Sequence, residues 1–205
     1  MKYFGSEYGG WPVLEGLLDS DSLVLSFGLG EDVSFDLGII KRFGCRVIGF
    51  DPTPKSVAWL AEQQLPERFE FVNVGLAAQT GVISFCAPAN SEYASYSAVH
   101  AADGTRKVEL PVKDLETIVE THDIKKIDVL KMDIEGSENE VIATLAKSSI
   151  RPGQILVEFH HRIHQTDFAR TRQAIESLET IGYKLFYVSG LGDEFALVHE
   201  SVTAT

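Results

Sequence analysis

Short apolar runs rich in β-branched residues recur along the chain, and amphipathic stretches opened by capping residues separate them. Residues 23–27 have the length and composition of a buried strand. After Gly28-Leu29-Gly30, Phe35, Ile39, Ile40 and Phe43 recur at helical spacing until Gly44 ends the helix. A second strand, 46–50, stops at Asp51, and Thr53 and Pro54 read as N-cap and first residue of a helix bearing Val57 and Leu60. Further strands are predicted over 69–74, 82–86 and 108–112, while the polar stretch 87–104 has no periodicity. Asp114 caps a helix with Leu115, Ile118 and Val119, and 127–132 is a buried strand ending at Asp133. Ser137 and Glu140 then form a capping box for a helix with Val141, Ile142 and Leu145. After strand 154–159, Asp167 caps a helix running to Gly182, and 183–188 with 195–198 close the pattern as a hairpin. This alternation predicts an α/β fold, a parallel sheet with helices on both faces. No repeat or linker divides it, so residues 1–205 read as one domain, with 1–22 as an N-terminal cap segment and 87–104 as either a substrate loop or lid, or only an insertion.

Composition agrees with one ordinary core: 205 residues, 44% hydrophobic and 23% charged. The formal charge of −12 repels polyanions, which argues against nucleic-acid partners and acidic membrane surfaces. No run approaches the roughly 20 apolar residues of a membrane span, and the first residues lack a signal-peptide core, so the expectation is a soluble, cytoplasmic protein. Cys45 and Cys86 stand outside any CxxC or zinc spacing, which fits a reducing interior. Oligomeric state is not legible.

In open α/β sheets ligands bind beyond the carboxyl ends of the strands. The residues placed there are Gly28, Gly30, Glu31 and Asp32; Asp51 with Pro52 and Thr53; Asn73, Gly75 and Leu76; Asp133 and Glu135; and Glu158, His160 and His161. The glycines let a ligand approach the backbone. Asp51, 21 residues after Gly30, stands where an acid can accept the hydroxyls of an adenosine ribose. A dinucleotide fingerprint needs a small residue where Val33 stands, and Glu31 and Asp32 would repel a pyrophosphate at the helix start; the same acids suit a ligand carrying an ammonium and a sulfonium. In an extended continuation of their strand, Asp133 and Glu135 project on one side, as do Glu158 and His160 on the adjacent one. Such a cluster can orient a hydroxyl and take its proton, or hold one hard cation. Glu138 and Glu140 read as structural. Tyr8-Gly9-Gly10-Trp11 either folds over a ligand or anchors the N-terminus.

The segment 130–138, Leu-Lys-Met-Asp-Ile-Glu-Gly-Ser-Glu, resembles the hallmark of the FkbM family of S-adenosylmethionine-dependent methyltransferases. The blocks around Gly28 and Gly30, the run 50–54 (Phe-Asp-Pro-Thr-Pro) and 154–161 are similar to its other blocks, in the same order. The resemblance implies a Rossmann-like class I methyltransferase fold: a mostly parallel seven-stranded sheet with an antiparallel last strand. It implies O-methylation with S-adenosylmethionine. Gly28 and Gly30 would border the methionine part, Asp51 would bind the ribose, and Asn73 to Leu76 would lie near the adenine. Asp133, Glu135, Glu158 and His160 would line the transfer site. Ser26 stands where many such enzymes carry an acid, which leaves the cofactor's amino group to Glu31, Asp32 or water. The expected activity is methylation of a small-molecule hydroxyl, on a sugar, polyketide or similar, with a carboxylate or His160 as base. A metal-assisted version, an NAD-dependent oxidoreductase and a non-catalytic cofactor-binding module are the alternatives.

Overall fold

The computed structural model describes residues 1–86, 107–161 and 168–203. In chain order these form strands β1 (Lys2–Phe4), β2 (Trp11–Val13) and β3 (Leu23–Phe27), helix α1 (Ser34–Phe43), β4 (Arg46–Phe50), helix α2 (Pro54–Ala61), β5 (Phe69–Val72), β6 (Gly75–Leu76), β7 (Gly81–Cys86) and β8 (Lys107–Lys113). Helix α3 (Leu115–Thr121), β9 (Val129–Met132), α4 (Glu138–Leu145), β10 (Gln154–Glu158), α5 (Phe168–Glu179), β11 (Tyr183–Val188) and β12 (Glu194–His199) follow.

Seven strands make the main sheet in the order β11-β12-β10-β9-β3-β4-β5. β5, β4, β3, β9 and β10 are parallel, and β12, the last strand of the chain, inserts antiparallel between β10 and β11. Both faces are apolar, because alternate residues of each strand enter different cores. Leu25, Ile48, Leu130, Ile155 and Leu197 meet α3, α4 and α5 through Ile118, Ile142 and Leu178. Val24, Val47, Val129, Leu156 and Ala196 meet α1 and α2 through Phe35, Ile39 and Leu60, with Trp11 and Val13 of the N-terminal hairpin. The strands visit one side of β3 first and then the other, so the order reverses between β3 and β9, the place where such sheets bind ligands.

Two smaller sheets lie outside that frame. β1 and β2 pair as a hairpin, and β6, β8 and β7 form a three-stranded sheet in which Gly81 faces Val112. Periodicity located β7 and β8 but carries no information on pairing. The 87–104 loop and the Asp167 cap lie outside the described residues. Three local expectations are corrected. Strand β5 ends at Val72 rather than 74. Ser137 occupies the N-cap of α4 without a side-chain bond, and Glu140 pairs instead with Arg170 at 2.7 Å on the surface, so there is no capping box. Thr53 is the N-cap of α2, but its hydroxyl donates to Asp51 rather than capping the helix.

Candidate functional site

Gly28 and Gly30 both adopt positive φ, +76° and +55°, so β3 turns sharply into the approach to α1. A Cβ on Gly28 would lie 1.7 Å from the Asp133 carbonyl oxygen: the ends of β3 and β9 touch here, and only hydrogen fits between them. Around the Cβ position of Gly30 nothing lies within 4 Å, which leaves the turn open to a ligand's close approach.

Asp51, 4% exposed, organises that turn. The Leu29 and Gly30 N–H groups donate to its Oδ2, both at 3.0 Å, and the Thr53 N–H and hydroxyl donate to its Oδ1 at 2.8 and 2.6 Å. A ribose held at Asp51 would share oxygens that already accept four bonds. Pro52 lies against the backbone of Gly75, where a Cβ would come within 3.0 Å of its ring. Asn73 is exposed beyond β5, and Leu76 is buried in the small sheet.

The two acids after the turn have partners within the chain. Glu31 pairs with Lys55 at 2.7 Å. Asp32 accepts the Ser6 hydroxyl at 2.5 Å and the Ser34 N–H at 2.8 Å; burial would raise its pKa, and these bonds outweigh it to leave the pKa lowered. Asp32 therefore fastens the N-terminal segment over the site. Trp11 is buried as an anchor, whereas Tyr8 is 89% exposed. The Tyr8 phenol pKa is raised by desolvation and then by Asp133, Glu158, Glu135 and Asp32.

β9 ends at Met132, so Asp133 and Glu135 do not project from one extended strand. Glu135 takes φ +55° and Gly136 φ +110°, a left-handed turn that is costly for a residue with a side chain and that doubles the chain back. The two carboxylates converge all the same: His160 Nε2 lies 3.6 Å from Asp133 Oδ1 and 3.5 Å from Glu135 Oε2. Glu158, at the end of β10, completes the group. Ligand atoms of Asp133, Glu158 and His160 lie within 4.8 Å of one another. His161 turns away to Thr171 and Phe168.

Desolvation dominates the titration of this cluster, and the neighbouring charges modify it. Desolvation raises the Asp133 pKa against the pull of Lys131 and His160. Glu158 is pushed up to about 7 by desolvation and then by Asp133. Burial alone would lower the His160 pKa, but Glu138, Glu135 and Asp133 raise it to about 10, which favours the protonated ring. A carboxyl group that titrates near 7, as Glu158 does, lies in the range in which a general base works.

Lys131 and Asp36 were given no role from the sequence, and Glu138 was read there as structural. Lys131, 5% exposed, donates to the Gly28 carbonyl at 2.7 Å and stands over the Trp11 ring, 5.7 Å from its centroid. Asp36 is buried on α1, and Glu138 is buried on α4, where its carboxylate accepts from the His160 side. The signal was present. Asp36 shares the spacing of Ile39, Ile40 and Phe43, and Glu138 that of Val141, Ile142 and Leu145, so each belongs to the inward stripe of its helix.

A glycine turn at the switch point, a buried acid ending the neighbouring strand and an antiparallel strand beside β10 are features of the class I methyltransferase fold. Residues 31–185 match the Methyltransferase FkbM domain, and the chain belongs to that family. It is 27% identical over 172 residues to the hexuronic acid methyltransferase AglP of Haloferax volcanii, covering 77% of this chain and 68% of the relative. Among solved structures it is similar in fold to methyltransferase FkbM from Methylobacillus flagellatus, with TM-score 0.54 and 13% identity over 89% of this chain. Methanococcus jannaschii fibrillarin, a pre-rRNA processing protein, has TM-score 0.50 and 15% identity, covering 89% of this chain and 68% of its own. This chain spans only 44% of the Methylobacillus chain. Membership of a methyltransferase family removes the oxidoreductase alternative. Among the described residues no helix is long and apolar enough to cross a membrane.

Proposed function

We propose that this protein methylates an oxygen of a small sugar-like molecule, with a carboxylate of the Asp133–Glu158 pair as the base. The observation that carries the reading is the convergence of Asp133, Glu158 and His160 beside the glycine turn, at the sheet edge where the strand order reverses. S-adenosylmethionine supplies the methyl group, and Gly28, Gly30, Asp51 and the open space beside Gly30 are the features that would receive it. Glu31 and Asp32 follow the glycine turn, where they would favour a cationic cofactor. A hydroxyl entering the cluster meets Asp133 and Glu158 as acceptors; Glu158 takes the proton, and the His160 imidazolium offsets the carboxylate charge. Alignment and exclusion of water supply much of the rate, and the base adds about 10²–10⁴-fold. A sugar acceptor is favoured because the relative's name specifies a hexuronic acid, itself a sugar.

The test follows transfer of a labelled methyl group to a panel of sugars, hexuronic acids and other hydroxyl compounds. Asp133→Ala is expected to lose at least 100-fold in kcat while calorimetry gives an unchanged cofactor Kd. A variant with wild-type turnover would end this assignment, and a wild type that binds the cofactor without transferring to any acceptor would make the protein a binding module. The second reading is a divalent cation held by Asp133, Glu158 and His160, which the 4.8 Å grouping of their ligand atoms favours. Activity that disappears on exhaustive chelation and returns with Mg²⁺ would establish it; activity that survives chelation assigns the carboxylates to proton transfer.

A further inference from the structure

Glu138 stands at the first position of α4, yet its side chain does not cap the helix: it turns inward, 1% exposed, among the residues below the acidic cluster. Its Oε1 lies 2.8 Å from His160 Nδ1 and accepts the Gly136 N–H at 2.9 Å. One carboxylate oxygen thus joins two parts of the site that come from different elements. His160 follows β10, where Phe159 is locked into the core edge-on to Phe195. Gly136 belongs to the left-handed turn that carries Glu135.

We propose that Glu138 is a positioning residue for methyl transfer, fixing the His160 ring through Nδ1 so that Nε2 faces Asp133 and Glu135; this rests on the methyl-transfer reading above. A planar imidazole with one nitrogen anchored has one direction left for the other, and Nε2 is accordingly found 3.6 Å from Asp133 Oδ1 and 3.5 Å from Glu135 Oε2. The ring side chain is 4% exposed, so water is a poor substitute for the lost acceptor. The same oxygen holds the Gly136 N–H, which couples the orientation of the ring to the turn presenting Glu135. Supporting partners of this kind, one bond behind the reacting groups, characteristically change activity 10–100-fold.

The experiment uses the full chain with 15N-labelled histidine, and E138Q and E138M variants. The His160 Nδ1–H resonance, assigned by its absence from H160N, is expected in the wild type as a slowly exchanging, hydrogen-bonded signal. E138Q keeps an acceptor of the same size: the signal persists and kcat stays within about tenfold of wild type. E138M fills the volume without an acceptor: the signal is lost to exchange, kcat falls about 10–100-fold, and cofactor Kd stays within about twofold. An E138M protein that keeps the signal or the wild-type kcat overturns the proposal. So does a wild type without the protected signal, a result that stands even if E138M does not fold. If no acceptor is ever methylated, the activity reading fails while the resonance still decides whether Glu138 holds the ring.

Discussion

Asp36 and Asp51 are both almost fully buried, at 2% and 4% exposure, and they differ in what surrounds them. Asp51 takes four donated bonds from the glycine turn and Thr53. Asp36 has no partner for Oδ1, and burial pushes its pKa up to about 6 despite the nearby Lys131. It keeps its proton in the folded chain up to about pH 6, whereas an unfolded aspartate loses it near 4. Between those values the native state binds more protons, so stability falls as pH rises and the loss is complete above 6. Asp36→Asn should therefore leave stability unchanged near pH 4 and raise it above pH 6, by about 3 kcal/mol at the outside, in denaturant unfolding across that range. Glu158 carries the corresponding expectation for turnover. With its pKa pushed up to about 7, kcat should rise through pH 7 as the carboxylate deprotonates, and Glu158→Gln should abolish that step. A profile flat from pH 6 to 8 would remove Glu158 as the base. Neither residue's behaviour is readable from its own identity, because ordinary aspartate and glutamate titrate two or three pH units lower and only neighbours move them.

At the scale of the element, capping signals were legible where the bond is local and misleading where a tertiary partner competes. Asp114 accepts the Thr117 N–H at 2.8 Å, as its position before Leu115 predicts, and it also accepts the Thr80 hydroxyl across the chain at 2.5 Å. Asp114→Ala should cost about 1 kcal/mol of stability in denaturant unfolding, whereas Glu140→Ala, which removes only a half-exposed pair with Arg170, should cost under about 0.5. Equal effects would restore the capping box that Ser137 and Glu140 were expected to form. The extended run through Glu135 failed for a related reason. Nothing in Asp133-Ile134-Glu135-Gly136 forbids a strand, but the close approach of Asp133 to Gly28 and the hold of Glu138 on Gly136 turn the chain instead.

For the whole molecule, part of the acidity behind the charge of −12 is gathered in one place. Glu31, Asp32, Asp51, Asp133, Glu135 and Glu158 all come from strand ends or the turns after them, on one edge of the sheet. A cofactor with sulfonium and ammonium groups should stabilise the folded chain by about 2.7 kcal/mol at 100 times its Kd, measured as a thermal shift. That shift should shrink as salt screens the more exposed acids. No shift with S-adenosylmethionine at any ionic strength would show that the edge does not receive it. The alternation of strand and helix, the glycine turn and the hallmark around Asp133 were determined by the sequence alone, because each depends on short-range periodicity or on residues adjacent in the chain; Asp51, 21 residues from Gly30, was legible because the strand pattern puts it at the end of a strand. The tertiary structure decided which strands pair in the small sheet and that a left-handed turn carries Glu135. It also decided that Lys131 meets the Gly28 carbonyl, that Glu138 meets His160, and that His160 faces Asp133 and Glu135. Those outcomes depend on groups brought together across more than twenty residues, as Glu138 and His160 are, and distance along the chain carries no record of proximity in space.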